Sequence, residues 1–303
     1  MDKATAKIIV ILGPTASGKS AVAIKLAQDL GGEIISADSR QIYRGMNIGT
    51  GKVTKREQQQ AQHWMLDIAS PRTNYNAAKF KKAAEKIIGD ILKRGKVPII
   101  CGGTGFWIKA IVDDVTFPEV KPDWKLRKRL GEKSASALAL DLKKLDPKRY
   151  SGIDRKNKVR LIRAIEICRS VGKVPCSTSP IRENRQWAFL QIGIAMPKKT
   201  VDRRIKNRLE QRFEQGMIRE VHNLHFKKKV SWKRLEKFGL EYYWVAQYLQ
   251  GRIPIRIMKE KLYIDIVHYA KRQMTWFQKD GRIFWERNIR SIHARSRQFV
   301  QKK

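Results

Sequence analysis

The stretch Gly13-Pro14-Thr15-Ala16-Ser17-Gly18-Lys19-Ser20 constrains this chain more than any other. It follows an apolar run at 8–12 and precedes residues 21–26, whose apolar side chains recur at helical spacing. Strand, glycine loop and helix therefore come in the order of a phosphate-cradling P-loop. The glycines let the backbone curl until successive N–H groups point inward. The helix N-terminus adds partial positive charge, Lys19 adds a full one, and the Ser20 hydroxyl is suited to ligating Mg²⁺. A chance match on an ordinary turn would lack the flanking strand and helix. The loop calls for a di- or triphosphate, and by default reads as nucleotide- or ATP-binding. It does not say what the phosphate is for.

Composition narrows the partner. The chain has 303 residues with 42% hydrophobic content, enough for one large folded domain or two modest ones. Its 65 Lys+Arg against 28 Asp+Glu give a formal charge of +37. An excess this large, densest in the second half, fits a polyanionic partner, most simply nucleic acid. Adaptation of a whole proteome to a basic pI would give the same charge with no specific partner. Cys101, Cys168 and Cys176 form no C-x-x-C pair, which points to a reducing compartment and away from a disulfide framework or zinc site. His222 and His225 have no Cys or acidic cluster beside them, so a surface role is expected. No segment reads as a signal peptide, and no run approaches the ~20 apolar residues of a membrane span. A cytoplasmic monomer is expected.

The rest of the pattern is an α/β core interrupted once. Residues 33–36 read as a second buried strand that delivers Asp38-Ser39-Arg40-Gln41 at its C-terminal end. In an open parallel sheet the strand C-termini line the ligand crevice, so Asp38 is expected to face the phosphate loop. A turn or helix-capping aspartate is the plainer reading of the same residue. Residues 43–55 read as glycine-rich loop, 56–62 as a polar helix, and 76–94 as an amphipathic helix with Phe80, Ala83, Ala84, Ile87, Ile88 and Ile91 on its apolar face. A third strand at 97–101 ends in Gly102-Gly103-Thr104-Gly105. ATPases and GTPases usually place a Walker-B aspartate there to hold Mg²⁺. Glycines in its place admit a substrate close to the backbone but supply no carboxylate for a hydrolytic water, which weighs against a motor or switch.

The core divides as residues 1–114, a helical insertion or lid at 115–185, and a return strand with basic C-terminal helices at 186–303. Within the insertion, helices are expected over 123–132, 134–145 and 156–171, with loop at 172–180. Residues 186–196 return to the sheet, and from Thr200 onward the chain reads as helical. There Val201, Ile205, Leu209 and Phe213 form an apolar stripe, and Arg204, Arg208 and Arg212 repeat beside it. Three stacked guanidinium groups repel one another unless an anion lies near, so phosphate contact is expected. The last clear helix, 257–278, interleaves cations with aromatics, which suits either a nucleic-acid surface or a core face. The basic tail 287–303 reads as fraying.

Two readings fit these parts. One is a P-loop small-molecule kinase of the nucleoside or shikimate type. The other is a transferase acting on nucleic acid, in which the loop holds a leaving diphosphate. The basic second half favours the transferase.

Four stretches carry a resemblance. They are residues 13–20, Asp38-Ser39-Arg40-Gln41-Ile42-Tyr43-Arg44-Gly45-Met46-Asn47-Ile48-Gly49-Thr50, Gly102-Gly103-Thr104-Gly105, and Ala270-Lys271-Arg272-Gln273-Met274-Thr275-Trp276-Phe277. In order and spacing, across essentially the whole chain, they resemble the tRNA dimethylallyltransferases of bacterial type, also called tRNA isopentenyltransferases. The resemblance implies a P-loop NTPase-like parallel sheet core with a helical insertion domain and a helical C-terminal region. It implies transfer of a dimethylallyl group from dimethylallyl diphosphate to the exocyclic N6 of the adenosine 3′ to the anticodon, assisted by Mg²⁺, with release of pyrophosphate. The base would reach the enzyme out of its stack, through a channel entered by tRNA from one side and by the prenyl diphosphate from the other.

Residue roles follow from the same resemblance. Gly13, Pro14, Thr15, Ala16, Ser17, Gly18, Lys19 and Ser20 would bind the diphosphate, with Lys19 neutralising it and Ser20 at the metal. Asp38 would take the N6 proton, and Arg208 would address the diphosphate. Contacts with tRNA would come from Asp38, Ser39, Arg40 and Gln41, from Thr104 and Arg127, and from Val159, Arg160, Leu161, Ile162 and Arg163. Lys271, Arg272, Gln273, Met274, Thr275, Trp276, Phe277 and Gln278 would complete them. The chain departs from the family pattern at Gly239-Leu240-Glu241, where Gly-Tyr is usual, at Asn157, where Asp is usual, and at His63-Trp64-Met65. The resemblance is to the bacterial form, for which the C-terminal zinc finger of the eukaryotic relatives is not expected.

Overall fold

The computed structural model describes residues 5–174 and 187–302. Cys176 and most of the loop expected at 172–180 lie outside the described residues. By its contacts the chain divides into two compact units, residues 1–112 with 183–303, and residues 113–182.

The first unit is built on β1 (Ala6–Leu12), in which Ile8 to Leu12 are all fully buried. Successive strand residues face opposite sides, so a strand apolar at every position must be covered on both faces. It takes the central place that this requires. Five strands join it: β2 (Gly32–Ser36), β3 (His63–Trp64), β4 (Val97–Gly102), β5 (Trp187–Ile194) and β6 (Ile283–Glu286). The order across the sheet is β3-β2-β4-β1-β5-β6, and every pairing is parallel. On one face Ile9, Ile11, Ile99 and Ile192 pack with Ile24 of α1 (Lys19–Leu30) and with Ile292 of the last helix. The crossover helix α3 (Ala77–Lys93) follows the short α2 (Lys55–Gln60) and packs against β2 and β4. Of the expected apolar face Phe80, Ala84, Ile88 and Ile91 are buried, with Ala77 beside them, while Ala83 and Ile87 at its margin are half-buried. The helix α4 (Gly105–Val112), which sequence spacing had not marked, leaves the Gly102–Gly105 turn directly.

The second unit carries α5 (Trp124–Glu132), α6 (Ala135–Leu145), α7 (Pro147–Gly152) and α8 (Lys158–Val171). Among the described residues four helices stand where three were expected. Proline at the first position and Asp146 as cap make 147–152 a helical turn of its own. Leu126, Leu130, Leu138, Leu142, Leu161 and Ile165 form this unit's core. Each helix opens on a polar cap: Asp123, Ser134, Asp146 and Asn157 accept the backbone amide three residues on. Asn157, at a family departure, therefore caps α8 as an aspartate would.

After β5 come α9 (Lys198–Glu214), α10 (Met217–Phe226), α11 (Trp232–Phe238), α12 (Leu240–Leu249) and α13 (Ile255–Phe277). Two expectations fail beyond them. The chain is not helical throughout from Thr200, because β6 adds a parallel edge strand beside β5. It is too short to show a period, and Phe284 stays 47% exposed at the edge. Nor does the basic tail fray: α14 (Ile289–Gln301) buries Ile292 and Ser296 and packs on α1 and β1. His293 Nδ1 lies 2.8 Å from an Asp29 carboxylate oxygen, tying the tail to α1. Among the described residues, no helix is long and apolar enough to cross a membrane.

Candidate active site

The loop between β1 and α1 adopts the backbone that its glycines permit. Gly13 has φ 146° and Gly18, the α1 cap, has φ 90°, both in the region that side-chained residues avoid. No side chain caps α1, so its first-turn N–H groups remain for a ligand. Lys19 Nζ donates to the Pro14 carbonyl at 2.6 Å, folding the lysine back over the loop. Burial lowers its pKa from 10.5 to about 8; Arg208 lowers it further, while Cys101 and Asp38 oppose the shift. A cation held at such cost is one that an incoming anion would re-stabilise.

Asp38 stands beyond the end of β2. Its Oδ1 accepts the amides of Arg40 at 2.8 Å and Gln41 at 3.3 Å. It thus caps a turn and also lines the same cavity as the P-loop. The strand ends are drawn together by the Gly102-Gly103-Thr104-Gly105 turn. A Cβ on Gly102 would overlap the Ala37 carbonyl, so only glycine allows that approach. Thr104 then ties the two turns, its Oγ1 accepting the Ser39 amide at 3.1 Å.

The cavity measures about 700 Å³, and its lining residues all belong to the first unit. Lys19, Ser20, Asp38, Thr104, Arg208 and Gln273 meet there. Arg208 reaches in from α9 and donates to the Thr15 hydroxyl. Burial, then Arg212 nearby, push its pKa well down, which again marks a cation short of an anion. The arginine row of α9 divides three ways. Arg204 is exposed near Gly18, Arg208 faces the loop, and Arg212 is buried and paired to Glu241 at 2.7 Å. The expectation that all three await phosphate is corrected at Arg212, whose charge Glu241 already balances. Glu241 belongs to a family departure, and its neighbour Leu240 holds φ 46°. Trp64, at another departure, donates from its indole to Glu33 at 2.7 Å, at the far edge of the sheet.

Helix α13 supplies the other wall. Gln273 is 7% exposed and spends its amide on the protein. Its Oε1 accepts the Thr15 amide at 2.8 Å, and its Nε2 donates to the Gly103 carbonyl at 2.8 Å. Phe277 is also buried, whereas Lys271, Arg272, Thr275, Trp276 and Gln278 are exposed and Met274 is intermediate. Tyr269, one turn before Gln273, lines the cavity as well; burial and the nearby Asp38 raise its pKa. Sequence reading passed over it, although Tyr269, Gln273 and Trp276 share one helical face.

The remaining expected contacts lie in the second unit. Arg127 forms a two-toothed pair with Glu166, through Nε at 2.8 Å and Nη2 at 2.7 Å, and Arg163 joins the same carboxylate. Burial pushes the Glu166 carboxyl up, but these arginines outweigh it and hold the pKa below the ordinary range. Val159 is 78% exposed and Arg160 is exposed, while Leu161 is fully buried and Ile162 is intermediate.

A parallel sheet with a P-loop at the end of its central strand defines a P-loop NTPase-like protein. Residues 41–280 match the IPP transferase family model, and the chain belongs to that family. It is 40% identical over 275 residues to tRNA dimethylallyltransferase 1 of Syntrophus aciditrophicus, covering 90% of this chain and 89% of that one. It is 38% identical to the tRNA dimethylallyltransferase of Acetivibrio thermocellus, covering 92% and 90%. Among solved structures it is similar to the full-length tRNA isopentenylpyrophosphate transferase of Bacillus halodurans. The TM-score there is 0.73 at 30% identity, covering 98% of this chain and 97% of that one. A eukaryotic dimethylallyltransferase acting on tRNA shares the fold, with TM-score 0.84 at 24% identity over 98% and 80% of the two chains. The small-molecule kinase reading loses its ground with this assignment.

Proposed function

We propose that this chain transfers the dimethylallyl group of dimethylallyl diphosphate to the exocyclic N6 of the adenosine 3′ to the anticodon in tRNA. The observation that carries the reading is one cavity holding both an anion cradle and a carboxylate, in a chain of this family. The N6 lone pair attacks C1 of the allyl group, the C1–O bond breaks, and its electron pair leaves with pyrophosphate. Asp38 takes the N6 proton as the amine acquires positive charge. The P-loop amides, Lys19 and Arg208 bind the diphosphate and stabilise the charge that grows on it. An adenine amine is a poor nucleophile, so positioning, base and leaving-group stabilisation share the barrier.

The donor set fits Mg²⁺. Ser20 offers a hard hydroxyl oxygen at the cavity, beside the loop that would hold the phosphates. Such a site, one protein oxygen completed by phosphate oxygens and water, is what Mg²⁺ commonly takes. When bound, the ion would neutralise the departing pyrophosphate. Asp38–Gln41, Thr104 and the exposed residues of 271–278 would meet tRNA beside the cavity, and Arg127 with 159–163 would meet it from the insertion. A monomer working in the cytoplasm, where tRNA resides, completes the reading.

Undermodified tRNA incubated with labelled dimethylallyl diphosphate tests it, beside a parallel reaction with ATP and common kinase acceptors. Label entering tRNA is the expected result. Phosphate transfer to a metabolite, with no label in tRNA, would overturn it.

A further inference from the structure

The second unit presents a Trp side chain that its own core does not use. Trp124, the first residue of α5, is 66% exposed, more than any other described Trp or Phe. A single exposed apolar residue is ordinary. This one is backed by a fixed cation. The Arg127 guanidinium lies 5.2 Å from the indole centroid. That guanidinium cannot swing away, because two of its nitrogens are held by Glu166, itself 2% exposed. Glu166 also accepts the Asp123 amide at 2.7 Å, and the Asp123 side chain caps the helix at the Leu126 amide. Backbone and cation on either side of Trp124 are thus both anchored to one buried carboxylate.

The surroundings are cationic. Helix α5 carries Lys125, Arg127, Lys128 and Arg129 against the single acid Glu132. A planar ring lying by a held guanidinium, two-thirds exposed and carried on a helix rich in Lys and Arg, is suited to a flat, anionic ligand. Unpaired nucleotides offer both a π face and a phosphate.

We propose that the exposed Trp124 indole, backed by Arg127, is a stacking platform for an unpaired base of the RNA substrate. This rests on the RNA-directed function proposed above. Glu166 acts behind it as a positioning residue, setting the arginine on which the ring lies.

The test compares Trp124→Leu, which keeps apolar bulk without a π face, with Trp124→Phe, which keeps a ring. Both are read by anisotropy of a labelled synthetic anticodon stem-loop RNA on the full-length protein. Trp124→Leu is expected to weaken binding roughly 5- to 100-fold, and Trp124→Phe to recover most of the loss. The KM for dimethylallyl diphosphate at saturating RNA separates a binding defect from a damaged fold. Wild-type affinity in Trp124→Leu, or equal loss in both variants, would overturn the platform. A shift in sedimentation of the RNA-free protein, with RNA binding intact, would assign the ring to a protein contact and overturn it too. Failure of the wild-type protein to bind the RNA would strike the functional reading itself, and this inference with it.

Discussion

Asp38 uses a single oxygen to hold its own turn, and this decides how its role is best tested. Asparagine keeps an Oδ1 that can accept the Arg40 and Gln41 amides, so Asp38→Asn spares the turn and removes only the base. We expect kcat to fall ~10²–10⁴-fold with RNA affinity nearly unchanged. Equal losses in rate and binding would argue against proton transfer. Arg208→Ala should raise the KM for dimethylallyl diphosphate, because the guanidinium points at the loop. An effect confined to RNA affinity would move Arg208 to the polynucleotide surface. Lys19 makes a pH prediction. Its pKa is about 8 in the ligand-free cavity, and a bound diphosphate would raise it again. Binding therefore takes up a proton above about pH 8, and affinity should fall by up to about tenfold per unit beyond that point. The stability of the ligand-free fold runs the other way. Unfolded Lys19 titrates near 10.5, so from about pH 8 to 10.5 the unfolded chain holds more protons and this residue makes the fold more stable as pH rises. Calorimetric titration of the prenyl diphosphate in buffers of different ionisation enthalpy would detect the proton. Affinity that stays flat above pH 8 would mean that Lys19 does not meet the diphosphate.

Among the elements, α13 latches the site shut from behind. Gln273 joins the P-loop to the Gly103 turn across 258 and 170 residues of sequence. Gln273→Leu leaves the Thr15 amide and the Gly103 carbonyl unpaired in a buried place. That should cost about 1–3 kcal/mol in thermal unfolding and raise the KM for the prenyl diphosphate more than the KM for RNA. The reverse order of effects would make Gln273 chiefly an RNA contact. Its case shows what could be read from sequence and what could not. The strands β1 and β4 were legible as apolar runs, β2 and β5 as shorter apolar stretches around Ile34-Ile35 and Phe189-Leu190, and the P-loop because its glycines have a fixed backbone purpose. The Asp38 turn was legible through its position after a strand. What stayed hidden was tertiary. A glutamine in a basic, aromatic segment looks like a surface reader until the fold turns it onto two backbone groups. The tail looked loose because Ile292 and Ser296 acquire partners only when α1 and β1 lie beneath them. Four residues of β6 carry no period of their own, and Arg212 could not be told from Arg208 before Glu241 was placed beside it.

At the scale of the molecule, the question is whether a charge of +37 belongs to function. Some of the acids that could offset it are committed inside. Glu33 takes Arg94, Lys96 and the Trp64 indole, and the Arg94 hydrogen bonds, against burial, hold its carboxyl down to about 2. Glu166 likewise takes Arg127 and Arg163, and Glu241 takes Arg212. Each acid so placed neutralises cations already near it, so the large excess of Lys and Arg must face solvent or a partner. If that partner is RNA, binding displaces condensed counterions and must weaken steeply with salt. With about five phosphates contacted, RNA affinity should drop on the order of tenfold for each doubling of monovalent salt. The KM for dimethylallyl diphosphate, a small ligand in a partly enclosed cavity, should respond far less, which makes it the internal control. Parallel titrations of RNA and prenyl diphosphate against salt would separate the two. A steep slope for RNA alone ties the surface charge to the polynucleotide. A shallow slope for both would leave the charge as a property of the proteome that made the chain, and recognition would then rest on the cavity and its rim.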